Sequence, residues 1–191
     1  MSFQFDESRF SDYPLTVIGF HGTSGSVAEE IFSGRSELKV SAHEWEWLGD
    51  GVYFWENAPA RALQWAIDRK KENPTVIGAI IQVGHCLNLM DKSSNFPIAR
   101  AFKKCKSLFE EIGIKMPDNN GKFHNRDSIV INSLHVLADH DKHPYDTVRA
   151  AYIEGDPLFE GTEIRSDTHI QICVRDPKKS IVAYFRPRTV C

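Results

Sequence analysis

Cysteine is scarce in this chain and follows no pattern. Cys86, Cys105, Cys173 and Cys191 form no C-x-x-C pair and no zinc-binding spacing, which excludes a disulfide framework or a structural zinc motif legible from spacing. The first three sit inside apolar patterns and read as reduced core residues, while Cys191 reads as an exposed thiol. Long apolar runs are missing as well: none approaches the roughly 20 residues that span a bilayer, so no membrane partner is expected. The opening Met1-Ser-Phe-Gln-Phe-Asp-Glu has neither the basic start nor the apolar stretch of an export signal, and a cytoplasmic setting follows as the expectation. An excess of positive charge is also lacking. With 23 Lys and Arg against 26 Asp and Glu, the formal net charge is -3. That argues against a broad electrostatic grip on nucleic acid while leaving room for a local basic groove. Internal repeats and low-complexity stretches are absent from the sequence.

What is present suits a single packed domain over 1–191: 41% of the residues are hydrophobic and 26% charged. Leu15 to Phe20 is a β-branched apolar run that predicts a buried strand ending in a turn at His21-Gly22-Thr23. Ser26 and Glu29 read as a capping box opening a short helix whose apolar face is Val27, Ala28, Ile31 and Phe32 and which Gly34 stops. Val52 to Trp55 predicts a strand. Asn57 as N-cap and Pro59 in the first turn then open a helix carrying Ala62, Trp65, Ala66 and Arg69 on one stripe. Thr75 to Val83 is nearly all apolar, the pattern of a strand covered on both faces.

The middle of the chain reads as helical. Ile98, Phe102, Cys105, Phe109 and Ile112 recur at spacings of three to four, and a second helix is expected from about Asp127 to Ala138. Strands are expected at Tyr145 to Ile153, Thr168 to Val174 and Ile181 to Phe185, the last two joined by Arg175 to Lys179. Strands at both ends with helices clustered between is α+β order and not regular βαβ alternation. Gly49-Asp-Gly51 lacks the third glycine of a Rossmann fingerprint and precedes a strand, which argues against that fold.

Three short segments carry chemistry: His21-Gly22-Thr23; Gly49-Asp-Gly-Val-Tyr53-Phe54 with Trp65 downstream; and Thr168-His-Ile-Gln171-Ile-Cys-Val174. In this order they resemble the ADP-ribosyltransferase superfamily, in the branch shared by diphtheria-type toxins and poly(ADP-ribose) polymerases. That branch draws a His, a Tyr and a Glu from three separated strands. The resemblance covers the first third and the last quarter of the chain; residues of about 92 to 144 have no counterpart in it and read as a helical insertion. It implies a split antiparallel β-sheet core with flanking helices, and NAD as co-substrate. It also implies roles: His21 at a ribose hydroxyl, the Gly22 backbone at the nicotinamide carboxamide, Thr23 adding a hydroxyl, and Tyr53 with Trp65 sandwiching the cationic nicotinamide ring.

The implied reaction is mono-ADP-ribosyl transfer, in which the N-glycosidic bond of NAD breaks through an oxocarbenium-like transition state and the acceptor is a protein side chain or a nucleic acid. At the position of the family's glutamate stands Gln171, which can bind a hydroxyl but carries no charge. Glu160 and Glu163, in the loop before the last strands, stand where the family's loop faces its acceptor, and Glu163 is the candidate to activate that acceptor or steady the cation. Arg149 and Arg165 are candidates for the NAD pyrophosphate or an anionic acceptor. A toxin, phage-defence or modification role fits by analogy alone.

Two rival readings stand beside this one. Gln171 also suits a non-catalytic module that binds NAD or ADP-ribose. A transferase akin to tRNA 2′-phosphotransferases shares the broad fold and ranks last, because the arginines and extra histidine of its site are not assignable in this sequence. His43, Glu44, Glu46 and Asp50 have metal-ligand chemistry without a recognised spacing and read as a solvated loop, so no metal is expected. His135, His140 and His143 read as surface histidines, and Lys103, Lys104 and Lys106 as a solvated helix face. His169 shares a strand face with Gln171. The oligomeric state is not legible.

Overall fold

The structure, a computed structural model, describes residues 15–43, 45–121, 123–140 and 144–188, without the side chains of 137–140. Its elements are β1 (Thr16–Ser24), α1 (Gly25–Phe32), β2 (Val52–Glu56), α2 (Pro59–Asp68), β3 (Pro74–Gln82), β4 (Cys86–Asn88), α3 (Asn95–Glu111), α4 (Asn125–His140), β5 (Thr147–Tyr152), β6 (His169–Val174), α5 (Pro177–Ser180) and β7 (Ile181–Phe185). The class is α+β. One seven-stranded sheet runs in the order β4-β5-β6-β2-β1-β3-β7. All neighbours are antiparallel except β4 and β5, which are parallel, so the sheet is mixed rather than purely antiparallel.

Alternation along the strands divides the sheet into two faces. On the first, α1 buries Ala28 and Ile31 against Val17, Phe54, Ile77, Ala79, Ile81, Ile172 and Val174. On the second, α3 and α4 bury Ala101, Cys105, Val130, Ile131 and Leu134 against Val148, Ala150 and Cys173. The helical middle of the chain therefore builds half of the core. α2 covers the second face over β1, where a side chain at Gly22 would collide with the Ala62 carbonyl oxygen. β3 lies between β1 and β7 and is packed by both α1 and α2; burial on both sides is why its sequence is almost unbroken apolar.

Several local expectations are corrected. His21-Gly22-Thr23 is not a turn: β1 runs through it to Ser24, held by nine consecutive partners on β3. The N-cap of α1 is Ser24, whose hydroxyl accepts from the Val27 amide, and Ser26 lies inside the helix. The N-cap of α2 is Ala58, and Asn57 instead takes a left-handed backbone with φ 52. The last two strands, consecutive in the chain, are not neighbours in the sheet. β6 lies between β5 and β2, while the short α5 carries the chain across to β7 beside β3. Ile112 falls outside the packed stripe of α3 and is 65% exposed. Cys105 and Cys173 are buried and Cys86 half-buried, with free thiols. Cys191, Glu44 and His143 lie outside the described residues, as does the side chain of His140.

Candidate functional site

The site begins where β1 and β2 part. Their pairing covers only Gly19↔Glu56 and Phe20↔Trp55, although β1 continues beside β3 for four more residues, His21 to Ser24. The Asn57 amide donates to the Ile18 carbonyl at 3.0 Å. Backbone groups alternate sides along a strand, so Ile18, Phe20 and Gly22 all direct N–H and C=O toward β2. At Gly22 the ladder has ended. The group that would have completed it, the Tyr53 carbonyl, is bound by His21 Nδ1 at 2.8 Å. The imidazole thus takes the acceptor of the next rung, and Gly22, buried beneath α2, has no register partner on β2.

This contact also fixes the His21 tautomer. A carbonyl only accepts, so Nδ1 carries the proton and Nε2 presents a lone pair. Burial holds the His21 pKa below the usual imidazole range, with the Tyr53 hydrogen bond opposing and Lys71 adding to the shift, and the ring is neutral at neutral pH. His21 is half-buried, with its ring 5.7 Å from that of Phe54.

Cross-strand register places the remaining residues. Ala150, Gln171, Trp55 and Phe20 are successive partners across β5, β6, β2 and β1, so they form one row on the second face. Tyr53 and Cys173 belong to the next row, on the Gly22 side of it. Tyr53 therefore projects from the face opposite Phe54 and His21: the phenol and the imidazole lie on opposite faces of the sheet, joined through the Tyr53 backbone. The Tyr53 hydroxyl donates to the Gly49 carbonyl at 2.8 Å and accepts from the Leu48 amide at 2.9 Å. Burial raises its pKa well above the usual phenol range. The glycines of the Gly49-Asp-Gly51 segment have structural causes. Gly49 has φ +79, and a side chain at Gly51 would strike Cys173 Sγ.

Around Gln171 lies a continuous cluster of rings, of which Trp55 and His169 are buried. The Trp47 indole donates to Gln171 Oε1 at 2.8 Å, and Gln171 Nε2 lies 2.9 Å from His169 Nε2. Ring centroids are 5.2 Å apart for Trp47 and Tyr152, 5.6 Å for Tyr152 and His169, 6.3 Å for His169 and Trp55, and 5.7 Å for Trp55 and Trp65. Arg69 lies over both Trp65 and Trp45, at 5.6 and 4.3 Å, and Lys71 stands 5.8 Å from Trp65. Arg61, on the first turns of α2, is bound to Glu154 through Nε at 3.0 Å and Nη2 at 2.6 Å and lies 5.7 Å from the Trp55 ring. Two buried donors here have no partner: Trp55 Nε1 and Arg61 Nη1.

Gly22, Tyr53, Trp65 and Gln171 thus lie toward the second face, whereas the His21 ring lies on the first and meets them only through the Tyr53 carbonyl. Thr23 is buried and pairs with Thr75 on β3, on the His21 face. Glu163 and Glu160 are exposed in a hairpin closed by a Pro157↔Arg165 bridge. Arg165 serves as that bridge residue. Arg149 is engaged on the first face in a bidentate pair with Glu56, at 2.6 and 2.8 Å, which satisfies it without a phosphate. Glu46 is not solvated: it is 7% exposed and accepts from the Ser41 hydroxyl and from the His43 amide at 3.0 Å, and burial raises its pKa. Among the described residues no cluster could hold a metal ion, and no helix is long and apolar enough to cross a membrane.

Sequence reading missed Trp47, Trp55, Arg61, Glu154 and Tyr152. Alternation along Val52 to Trp55 puts Trp55 on the face of Tyr53, the signal that could have found it. The Trp47–Gln171 contact spans 124 residues, and nothing local announces it. No protein-family model matches the chain, and no curated protein matches it significantly.

Proposed function

We propose that this chain binds NAD at the parted seam of β1 and β2 and acts as a mono-ADP-ribosyltransferase built on an ADP-ribosyltransferase-like core. One observation carries the reading: Gly22, buried beneath α2, has no register partner on β2, and the Tyr53 carbonyl that would have been its partner is bound by the His21 ring. A single residue offering one donor and one acceptor side by side matches a primary carboxamide, which answers with one of each, as a neighbouring strand would. The nicotinamide ring then has Tyr53, Trp55 and Trp65 as aromatic surfaces, suited to its positive charge. His21 Nε2, neutral and unprotonated, accepts from a ribose hydroxyl.

The dinucleotide supplies the glycosidic bond. Its cleavage releases nicotinamide and passes the ADP-ribosyl group to an acceptor nucleophile on protein or nucleic acid, which loses its proton. Glu154, 3.7 Å from His169 Nδ1 and paired with Arg61, borders these rings and is proposed in place of the exposed Glu163 as the candidate to offset positive charge.

A second reading is favoured by a separate observation. Gln171 is uncharged and held at both ends of its amide, by Trp47 and His169, which suits a module that holds NAD or ADP-ribose without turning it over. One assay separates the two. Purified protein is incubated with NAD, and free nicotinamide and ADP-ribosylated products are measured, beside His21→Ala. The transferase releases nicotinamide, and His21→Ala slows release by about tenfold or more, the loss of a charge-free hydrogen bond and its positioning. Binding without release supports the module. Neither binding nor release discards both.

A further inference from the structure

The hydrogen bonds around Gln171 leave no freedom in which way its amide points. An indole N–H can only donate, so the atom facing Trp47 at 2.8 Å is the amide oxygen. His169 Nδ1 lies 2.6 Å from the Asp167 carbonyl, which can only accept, so Nδ1 carries the proton and Nε2 is a lone pair. The atom facing that lone pair at 2.9 Å is therefore the amide nitrogen. Both assignments agree. One N–H of the amide remains unspent, and close by are the two buried unpartnered donors, Trp55 Nε1 and Arg61 Nη1.

We propose that His169 is a positioning residue that, with Trp47, fixes Gln171 as a hydrogen-bond donor toward the ligand, so that the site takes an acceptor oxygen at this point and admits a carboxylate at 171 only when His169 is protonated. The ligand is an oxygen-bearing group with lone pairs directed at Gln171, such as a ribose ring or hydroxyl oxygen or a phosphoryl oxygen. This rests on the NAD reading for the ligand's identity, but not for the polarity of the site. A carboxylate in place of the amide would still accept from Trp47, yet would set an oxygen lone pair against the His169 lone pair. Proton uptake at Nε2 converts that repulsion into an ion pair.

The groups facing His169 are Asp167 on its own segment, Glu154 beyond β5, Arg61 on α2, and the rings of Tyr152 and Trp55. Arg61 opposes protonation and the two carboxylates favour it. In the native chain, burial outweighs them and keeps the ring neutral.

The test needs no dinucleotide, so its failure and that of the NAD reading are distinguishable. Nitrogen-15 NMR of the imidazoles in the intact protein reports tautomer and titration together. In the wild type, His169 is expected as the Nδ1–H form, with Nε2 an unprotonated acceptor. In Gln171→Glu its apparent pKa is expected to rise by about one unit or more, a tenfold or larger change in proton affinity. An Nε2–H tautomer in the wild type overturns the proposal, and so does an unchanged titration in Gln171→Glu. Should that variant not fold, the wild-type tautomer decides alone. Trp47→Phe supplies a second reading: with the indole donor gone, the amide loses one of its two constraints, and the Gln171 side-chain N–H signals broaden or double. A single sharp pair of unchanged shift there contradicts the role given to Trp47.

Discussion

His21, Tyr53 and Gln171 are each committed by hydrogen bonds whose polarity admits one arrangement. For His21 and His169 this has a consequence for stability. Burial lowers both imidazole pKa values, so below the ordinary imidazole value of about 6.5 the unfolded chain binds more protons than the folded one, and stability is lost as pH falls through that window. The urea midpoint is expected to be lower at about pH 5.5 than at about pH 7.5, and His169→Asn is expected to shrink the difference. A difference of the same size in the variant would exclude His169 as a source. Tyr53→Phe removes a hydroxyl that satisfies the Leu48 amide and the Gly49 carbonyl together. A loss of about 1–3 kcal/mol in unfolding free energy is expected from chemical denaturation, since both backbone groups lose their partner.

At the scale of elements, the parted seam depends on how α2 is seated. α2 lies against Gly22 so closely that a methyl group there meets the Ala62 carbonyl oxygen and then the Ala66 side chain. Gly22→Ala is expected to cost about 1–3 kcal/mol, as overpacking does, and to weaken NAD binding by displacing Trp65 with the helix. A thermal midpoint within a degree of wild type would show that α2 yields freely. Much at this scale was legible in the sequence. Apolar alternation and β-branching located six of the seven strands, and Pro59 with the Ala62–Ala66 spacing located α2. Cap positions were misplaced by one or two residues because Ser24 and Ser26, or Asn57 and Ala58, differ only in backbone angles that residue type does not reveal. The three-residue β4 carries too little pattern to register. The His-Gly-Thr segment read as a turn because glycine is a turn residue, whereas here its missing side chain admits a helix.

Across the whole molecule, two half-cores lie on opposite faces of one mixed sheet, and the helical middle of the chain forms the second. Sequence motifs picked His21, Tyr53 and Gln171, each on a strand that alternation identifies, but alternation within single strands did not reveal that His21 and Tyr53 lie on opposite faces of the sheet. They missed the walls of the site, since Trp47, Arg61 and Glu154 reach it through contacts that only the folded sheet creates. The pair of Arg149 and Glu56 belongs to this scale: it ties β5 to the end of β2 with little exposure of either side chain. Arg149→Ala strands a carboxylate and is expected to cost about 3 kcal/mol in chemical denaturation, while leaving NAD affinity within about twofold, because the Arg149 guanidinium is already engaged by Glu56. A tenfold loss of affinity would return Arg149 to the pyrophosphate role that its ion pair argues against.

The central claim is that a carboxamide takes the place of a β-strand on Gly22. It is tested most directly by following the backbone amide of Gly22 in a nitrogen-15 spectrum while NAD, and then nicotinamide alone, is added to millimolar concentration. The account predicts a large downfield displacement of that amide with both ligands, and of the His21 ring signals with NAD. An undisturbed Gly22 amide under saturating NAD, or displacements confined to another part of the sheet, would contradict it.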